Sequence, residues 1–305
     1  MSILTTGGGG QNAIVSTSAA RFLQLLLADR GKMSLRAHPA LRNLAFAPGV
    51  GSLNHTLTSY GLDGYDLLIA HAEGTELSET ALTTAARTLA IAPKGMRRDL
   101  GDLVRSIDPT GQLNPLVLAN DGFRSAMATL GYMIAQLSGS WSASRGTSGS
   151  GFTHDLFMEG RAALIAAKVP GPYIAVLDQN HFADWSQDLG NLAGVAQWQP
   201  ATAEMQQMRG SGYQGKYLNF DVFTNDGCAS SGSDKVSQMF GAGGVGYGEQ
   251  QLVYDEGADL LLNSGPIAVE RERSATKSQT TIVTHYAVGT VITEQARGVG
   301  LLAAV

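Results

Sequence analysis

The sequence predicts an α+β protein, and three observations carry that prediction. Strand-like and helix-like segments are mixed along the chain without strict strand–helix alternation. No internal repeat is visible in the 305 residues. Glycine is abundant, at 38 residues, while charged side chains make up only 15%, which is a composition of turns and strands.

The length suits one large domain or two intertwined ones with an ample core. An apolar content of 44% excludes wholesale disorder. Low charge with many glycines fits a surface that faces other protein. It fits a Gly-rich enzyme equally well, and composition leaves both open.

The net charge of −5 is unevenly spread. Arg21, Arg30, Lys32, Arg36 and Arg42 stand against Asp29 in residues 1–50, a net of +4, so the remainder carries −9. Such a basic arm can seek an acidic partner, a neighbouring copy or nucleic acid, or can be a solvated tail. Cys228 is the single cysteine, so no intrachain disulfide forms. The six histidines, His38, His55, His71, His154, His181 and His285, pair at no ligand spacing, and no metal is expected. No apolar run is long enough for a membrane span, and the N-terminus lacks a basic segment followed by an apolar one, so no signal peptide is expected.

Taken in order, residues 16–29 read as a short helix, with Phe22, Leu23, Leu26 and Leu27 as its stripe. Pro39 and Pro48 make residues 33–50 an extended arm. Residues 51–93 read as two long strands joined through the acidic tip of Glu73, Glu76 and Glu79. Large core residues are sparse there, and a long hairpin without its own core is marginal alone. A helix follows with Phe123, Met127, Leu130, Ile134 and Leu137 in register, capped by Asn120 or Asp121. The Ser/Gly-rich stretch 138–151 is a loop.

A second helix, capped near Thr153, turns Phe157, Leu164 and Ile165 inward. Residues 173–177 form a buried strand, and residues 178–189 turn into a helix carrying Phe182 and Trp185. Another helix covers 201–208, and short strands cover 216–220, 222–223 and 251–254. A long strand at 279–291 and a final one at 298–305 close the chain.

Chemical motifs are thin. GAGGVGYG at 241–248 has the glycines of a dinucleotide loop, but a strand rather than a helix is expected after it, so no cofactor is assigned. SATK at 274–277 matches a Ser-x-x-Lys pattern without companion motifs, between two predicted strands, where a polar turn is the plainer reading. No catalytic residue is assigned. The densest basic cluster is Arg87, Lys94, Arg97 and Arg98; without interleaved aromatics it is not a single-strand nucleic-acid platform. Pairing with an acidic strip of another subunit and a solvated turn remain the two readings of it.

The order of these pieces resembles the major capsid proteins of tailed bacteriophages, with the Hong Kong 97-type fold. AEGTEL at 72–77 and RTLAIAPK at 87–94 look like the tip and return strand of the family's extended loop. The helix at 123–137 is similar to its spine helix, and YIAVLD at 173–178 followed by Trp185 to its axial strand and helix. GKYLNFDVF at 215–223 looks like its glycine-then-strand segment. AVERER at 268–273, TIVTHYAVGTV at 281–291 and GLLAA at 300–304 resemble its closing strands.

The resemblance implies an N-terminal arm at 1–50 and an extended loop at 51–97. It implies a peripheral domain with the spine helix at 98–145 and 255–297, and an axial domain at 146–254 and 298–305. It also implies a non-enzymatic shell subunit that forms pentamers and hexamers around double-stranded DNA in a virion assembled in the host cytoplasm. Portal and scaffolding proteins would be its partners, contact with DNA would be weak and non-specific, and no membrane would be involved.

Under that resemblance Glu73, Glu76, Glu79, Arg87, Lys94, Arg97, Arg98, Arg21 and Arg36 become candidate inter-subunit contacts. Some family members cross-link through a lysine in the extended loop. No lysine lies between Lys32 and Lys94, so no such bond is expected at this tip. The short N-terminus leads to the expectation of a separate scaffold. An encapsulin-type compartment shares the fold and remains an alternative, and a Gly/Ser-rich hydrolase is the alternative from another class.

Overall fold

A computed structural model of the chain describes residues 38–46, 54–61, 83–106, 115–191, 198–203, 205–206, 212–253, 259–263 and 265–305. The expected helix at 16–29 and the expected acidic tip lie outside these residues. Strands β1 (Leu41–Phe46), β2 (Asn54–Gly61), β3 (Thr83–Ala90) and β4 (Ala92–Gly101) lead into α1 (Asp102–Ser106) and the long α2 (Pro115–Gln136). Next come β5 (Ser144–Arg145), α3 (His154–Ala166), β6 (Tyr173–Leu177) and α4 (Gln179–Asn191). Strands β7 (Gln199–Pro200), β8 (Tyr213–Tyr217), β9 (Phe220–Thr224), β10 (Ala229–Ser231), β11 (Asp234–Phe240) and β12 (Val245–Gln250) follow. The chain closes with β13 (Leu260–Asn263), β14 (Ile267–Ser274), β15 (Gln279–Ile292) and β16 (Gly298–Ala303).

The chain divides into two compact units. The first holds the described residues of 93–128 and 250–287. In it β13, β14 and β15 form an antiparallel set, and β4 also pairs β15. The β-branched run of β15 suits a strand whose Thr281, Ile282 and Thr284 are buried. Part of α2 packs on it through small residues. A side chain at Gly122 would collide with Thr284, so this helix lies directly against the strand. The polar tetrad after Ser274 is a turn between β14 and β15, as expected.

The second unit holds the described residues of 34–92, 129–249 and 288–305. Its main sheet runs β5-β16-β11-β6-β9-β8-β7, with β10 added on β11. Strands β6 and β9 are parallel, and α4 lies in the connection between them. The core beneath is aromatic: Phe157 stacks on Trp185 at 5.0 Å, and Tyr217 and Phe220 meet Phe157 edge-on. Thr153 caps α3, accepting the Leu156 N–H at 3.3 Å. In the same unit β12 pairs the last residues of β15, and β1 pairs β12.

Four expectations need correction. Helix α2 begins at Pro115, not at Asn120 or Asp121. Proline tolerates a first helical turn, and Asp121 is instead drawn into an ion pair with Arg98. Ile165 does not point inward; it is 51% exposed, while Leu164 one residue earlier takes the core position. The stretch 216–220 is not one strand: β8 and β9 are joined by a two-residue turn whose Leu218 and Asn219 have φ of 47° and 71°. The strand expected at 251–254 lies earlier, at β12, so the glycine cluster itself provides a turn and a strand.

Candidate assembly surfaces

Strands β2 and β3 form a two-stranded antiparallel ribbon with register from Asn54↔Ala90 to Gly61↔Thr83. Among the described residues no third strand joins it. Its root is anchored: Leu89 is fully buried, and Ala90 approaches Gly289 so closely that a side chain there would strike the Ala90 carbonyl. Beyond the root, Thr56, Ala86 and Thr88 are exposed. The Arg87 Nε–H is buried without an acceptor among the described residues. An isolated ribbon of this kind is marginal in water, and an unsatisfied buried donor adds a cost of about 1–3 kcal/mol. Both features favour a further surface against the ribbon.

The residues of the predicted basic cluster lie on two different strands. Arg87 is on the ribbon, while Lys94, Arg97 and Arg98 are on β4. Neighbouring residues of a strand face opposite sides, which separates Arg97 from Arg98. Arg97 pairs with Asp99 at 3.0 Å, Arg98 pairs with Asp121, and Lys94 is exposed. The Asp99 carboxyl is held below its usual range, chiefly by the Thr281 hydroxyl donating at 2.7 Å and then by Arg97. Arg271 and Arg273 likewise pair within the first unit, with Asp259 at 2.7 Å and Asp102 at 2.6 Å. Arg21, Arg36, Glu73, Glu76 and Glu79 lie outside the described residues.

Sequence reading missed two buried polar networks, because their members are too far apart in the chain to signal each other. The Ser237 hydroxyl accepts the Asp178 N–H at 2.9 Å and donates to Nδ1 of His181 at 2.8 Å. The other His181 nitrogen donates to the Ala303 carbonyl at 3.2 Å. This resembles a nucleophile–base pair in its distances. However, both residues are fully buried, and the second nitrogen is held by a backbone carbonyl instead of an orienting carboxylate. Burial pushes the His181 imidazole below its ordinary range and keeps it neutral.

His38 and Asp221 form the second network, 2.8 Å apart, with the Tyr213 hydroxyl on Asp221 at 3.2 Å. The backbone N–H of Ala40 donates to Nδ1 of His38, which leaves Nε2 as the donor to Asp221. The network ties the turn before β1 to β9. Cys228 is also buried, its thiol pushed up to about 12 by burial. Among the described residues no cluster of three or more His, Cys, Asp or Glu could hold a metal. No described helix is long and apolar enough to cross a membrane.

Leu103 and Val253 in the first unit are 75% and 78% exposed, and Tyr132 and Met205 in the second are 46% and 48% exposed. Scattered singly, such side chains are ordinary on a protein surface and assign no contact by themselves.

No known family profile matches the sequence, and no curated protein does. Solved structures do match. The capsid of Ralstonia phage GP4 superposes with a TM-score of 0.60 at 11% identity, covering 90% of each chain. The capsid structure of the cyanophage P-SCSP1u gives 0.52 at 14% identity, covering 87% of this chain and 86% of the other. The holo-SrpI encapsulin complex from Synechococcus elongatus PCC 7942 gives 0.57 at 9% identity, covering 87% and 85%. At these identities the likeness establishes architecture: the chain has the tailed-phage capsid fold that its sequence resembles, shared with the encapsulin subunit.

Proposed function

We propose that this chain is the major capsid protein of a tailed phage, a non-enzymatic subunit that assembles into pentamers and hexamers around double-stranded DNA. The observation that carries this reading is the match to the GP4 capsid over 90% of the chain. The ribbon, which no third strand joins among the described residues, supports it, since a neighbouring copy would supply a further surface. In this reading residues 1–50 are the arm and 51–97 the extended loop. The peripheral domain takes 98–145 and 255–297, and the axial domain takes 146–254 and 298–305. Arg21, Arg36, Glu73, Glu76, Glu79, Arg87, Lys94, Arg97 and Arg98 are its candidate inter-subunit contacts. Portal and scaffolding proteins and loosely held DNA complete the particle, a virion assembled in the host cytoplasm.

The likeness to the SrpI encapsulin favours a second reading, a compartment shell with protein cargo. Electron microscopy of the purified chain, expressed with and without the adjacent gene as candidate scaffold, tests both. Closed shells or five- and six-fold rings are expected. Shells that package nucleic acid with a portal at one vertex select the phage reading, and shells filled with a co-expressed enzyme select the compartment. A small oligomer that never assembles would overturn both.

A further inference from the structure

Helix α3 has an exposed side whose charges are separated. Asp155 and Glu159, four residues apart, share one edge, and both are exposed. The Asp155 side chain is 98% exposed. Arg161 and Ile165, also four apart, share the other edge. Met158 and Ala162 lie between the two edges on the helical wheel. Arg161 lines a 190 Å³ recess together with Ile165, Tyr173, Leu218 and Phe220.

Two details set this recess apart. Arg97, Arg98, Arg271, Arg273 and Arg297 each have a carboxylate of the same chain; among the described residues Arg161 has none, and unlike Arg124 and Arg145, which also have none but are exposed, it is half-buried. Leu218, which occupies the left-handed region at φ 47°, also lines the recess. A guanidinium in a mostly apolar recess suits a carboxylate on an apolar support, and the opposite edge of the same helix offers two.

We propose that the exposed side of α3 is a head-to-tail contact between adjacent copies of this chain: the Arg161 recess of one copy receives the Asp155–Glu159 edge of the next. The inference rests on the shell-subunit reading, in which ring closure requires one surface of each copy to meet a different surface of its neighbour. The apolar strip of Met158, Ala162 and Ile165 then loses water, and the charges set the register.

Charge reversal tests the contact. Arg161→Glu alone, and Asp155→Arg with Glu159→Arg, each lower the yield of rings and shells at least about tenfold in sedimentation and electron microscopy. Mixing the two reversed proteins restores complementary contacts between unlike copies, so even-numbered rings return while five-fold rings do not. Wild-type assembly by either reversed protein, or no recovery on mixing when both keep the wild-type unfolding midpoint, overturns the contact. Should a reversal shift that midpoint, Glu159→Cys combined with Arg161→Cys replaces it. A ladder of disulfide-linked copies up to ring size is expected on oxidation, and monomer alone overturns the proposal. A wild-type chain that forms neither rings nor shells removes the shell reading, and this contact with it.

Discussion

The sheet around β6 and β9 and the ribbon of β2 and β3 belong to the same unit, yet they are held by different means. Strand β6 is buried along most of its length, flanked by β11 and β9, with an aromatic cluster of Phe157, Trp185, Tyr217 and Phe220 beneath. The ribbon has full backbone pairing over eight positions and a buried root at Leu89, but exposed Thr56, Ala86 and Thr88. Cross-strand pairing is present in both, although each ribbon strand has a partner on one side only. What differs is apolar burial, which supplies most of the net stability of a fold. The sheet is held by contacts among the described residues, whereas under the proposed shell reading a neighbouring copy completes the ribbon.

The largest effect should come from the aromatic cluster. Trp185→Ala removes the fully buried ring on which Phe157 stacks and should destabilise the subunit by about 3–5 kcal/mol in urea unfolding. Trp185→Phe is a sharper control. The Trp185 Nε1–H has no acceptor among the described residues, so the smaller ring should cost much less. Equal losses in the two variants would mean that ring stacking is not what holds the cluster.

Next is the ribbon root. Gly289→Ala places a methyl group against the Ala90 carbonyl and should cost about 1–3 kcal/mol. Hydrogen exchange should show faster exchange at residues 83–90 than in β6. Uniform loosening of the whole unit would break the proposed separation between ribbon and sheet.

The acid response should be smaller. The folded state holds His181 neutral with its pKa depressed by burial, while the unfolded chain has it near 6.5. The unfolded state therefore binds more protons as pH falls below about 6.5, and stability declines by at most about 1.4 kcal/mol per pH unit until the folded pKa is reached. Above about 6.5 this contribution is complete. Urea midpoints at pH 7.5 and 5.5 measure it, and His181→Gln should flatten the difference.

Much of the architecture was legible in the sequence. The ribbon strands, the interior of α2, the Thr153 cap, β6, α4 and the closing strands all follow from periodicity and capping residues. The failures have local causes. Leu218 gives no warning of a positive-φ turn, since leucine rarely adopts one; only Asn219 beside it is a turn former. Strand β12 is disguised by its glycines and is held by pairing with β15, a non-local fact. Asp121 looks like a cap but serves Arg98. Of the surface, the basic residues were visible but not their separation onto different strands and faces. His38 and Asp221 are 183 residues apart, beyond any spacing rule.

The smallest effect on the isolated subunit should be the most informative. Thr88 is exposed on the ribbon, so Thr88→Glu should change subunit stability by no more than about 0.5 kcal/mol. If the ribbon is completed by another copy, the same charge is buried on assembly without a partner, and rings and shells should be lost while the urea midpoint stays fixed. Thr88→Val, which keeps the shape and adds no charge, should assemble. A glutamate at 88 that leaves assembly intact would place the ribbon in solvent within the particle. Its stability would then have to come from its own eight paired positions, against the expectation for a two-stranded sheet.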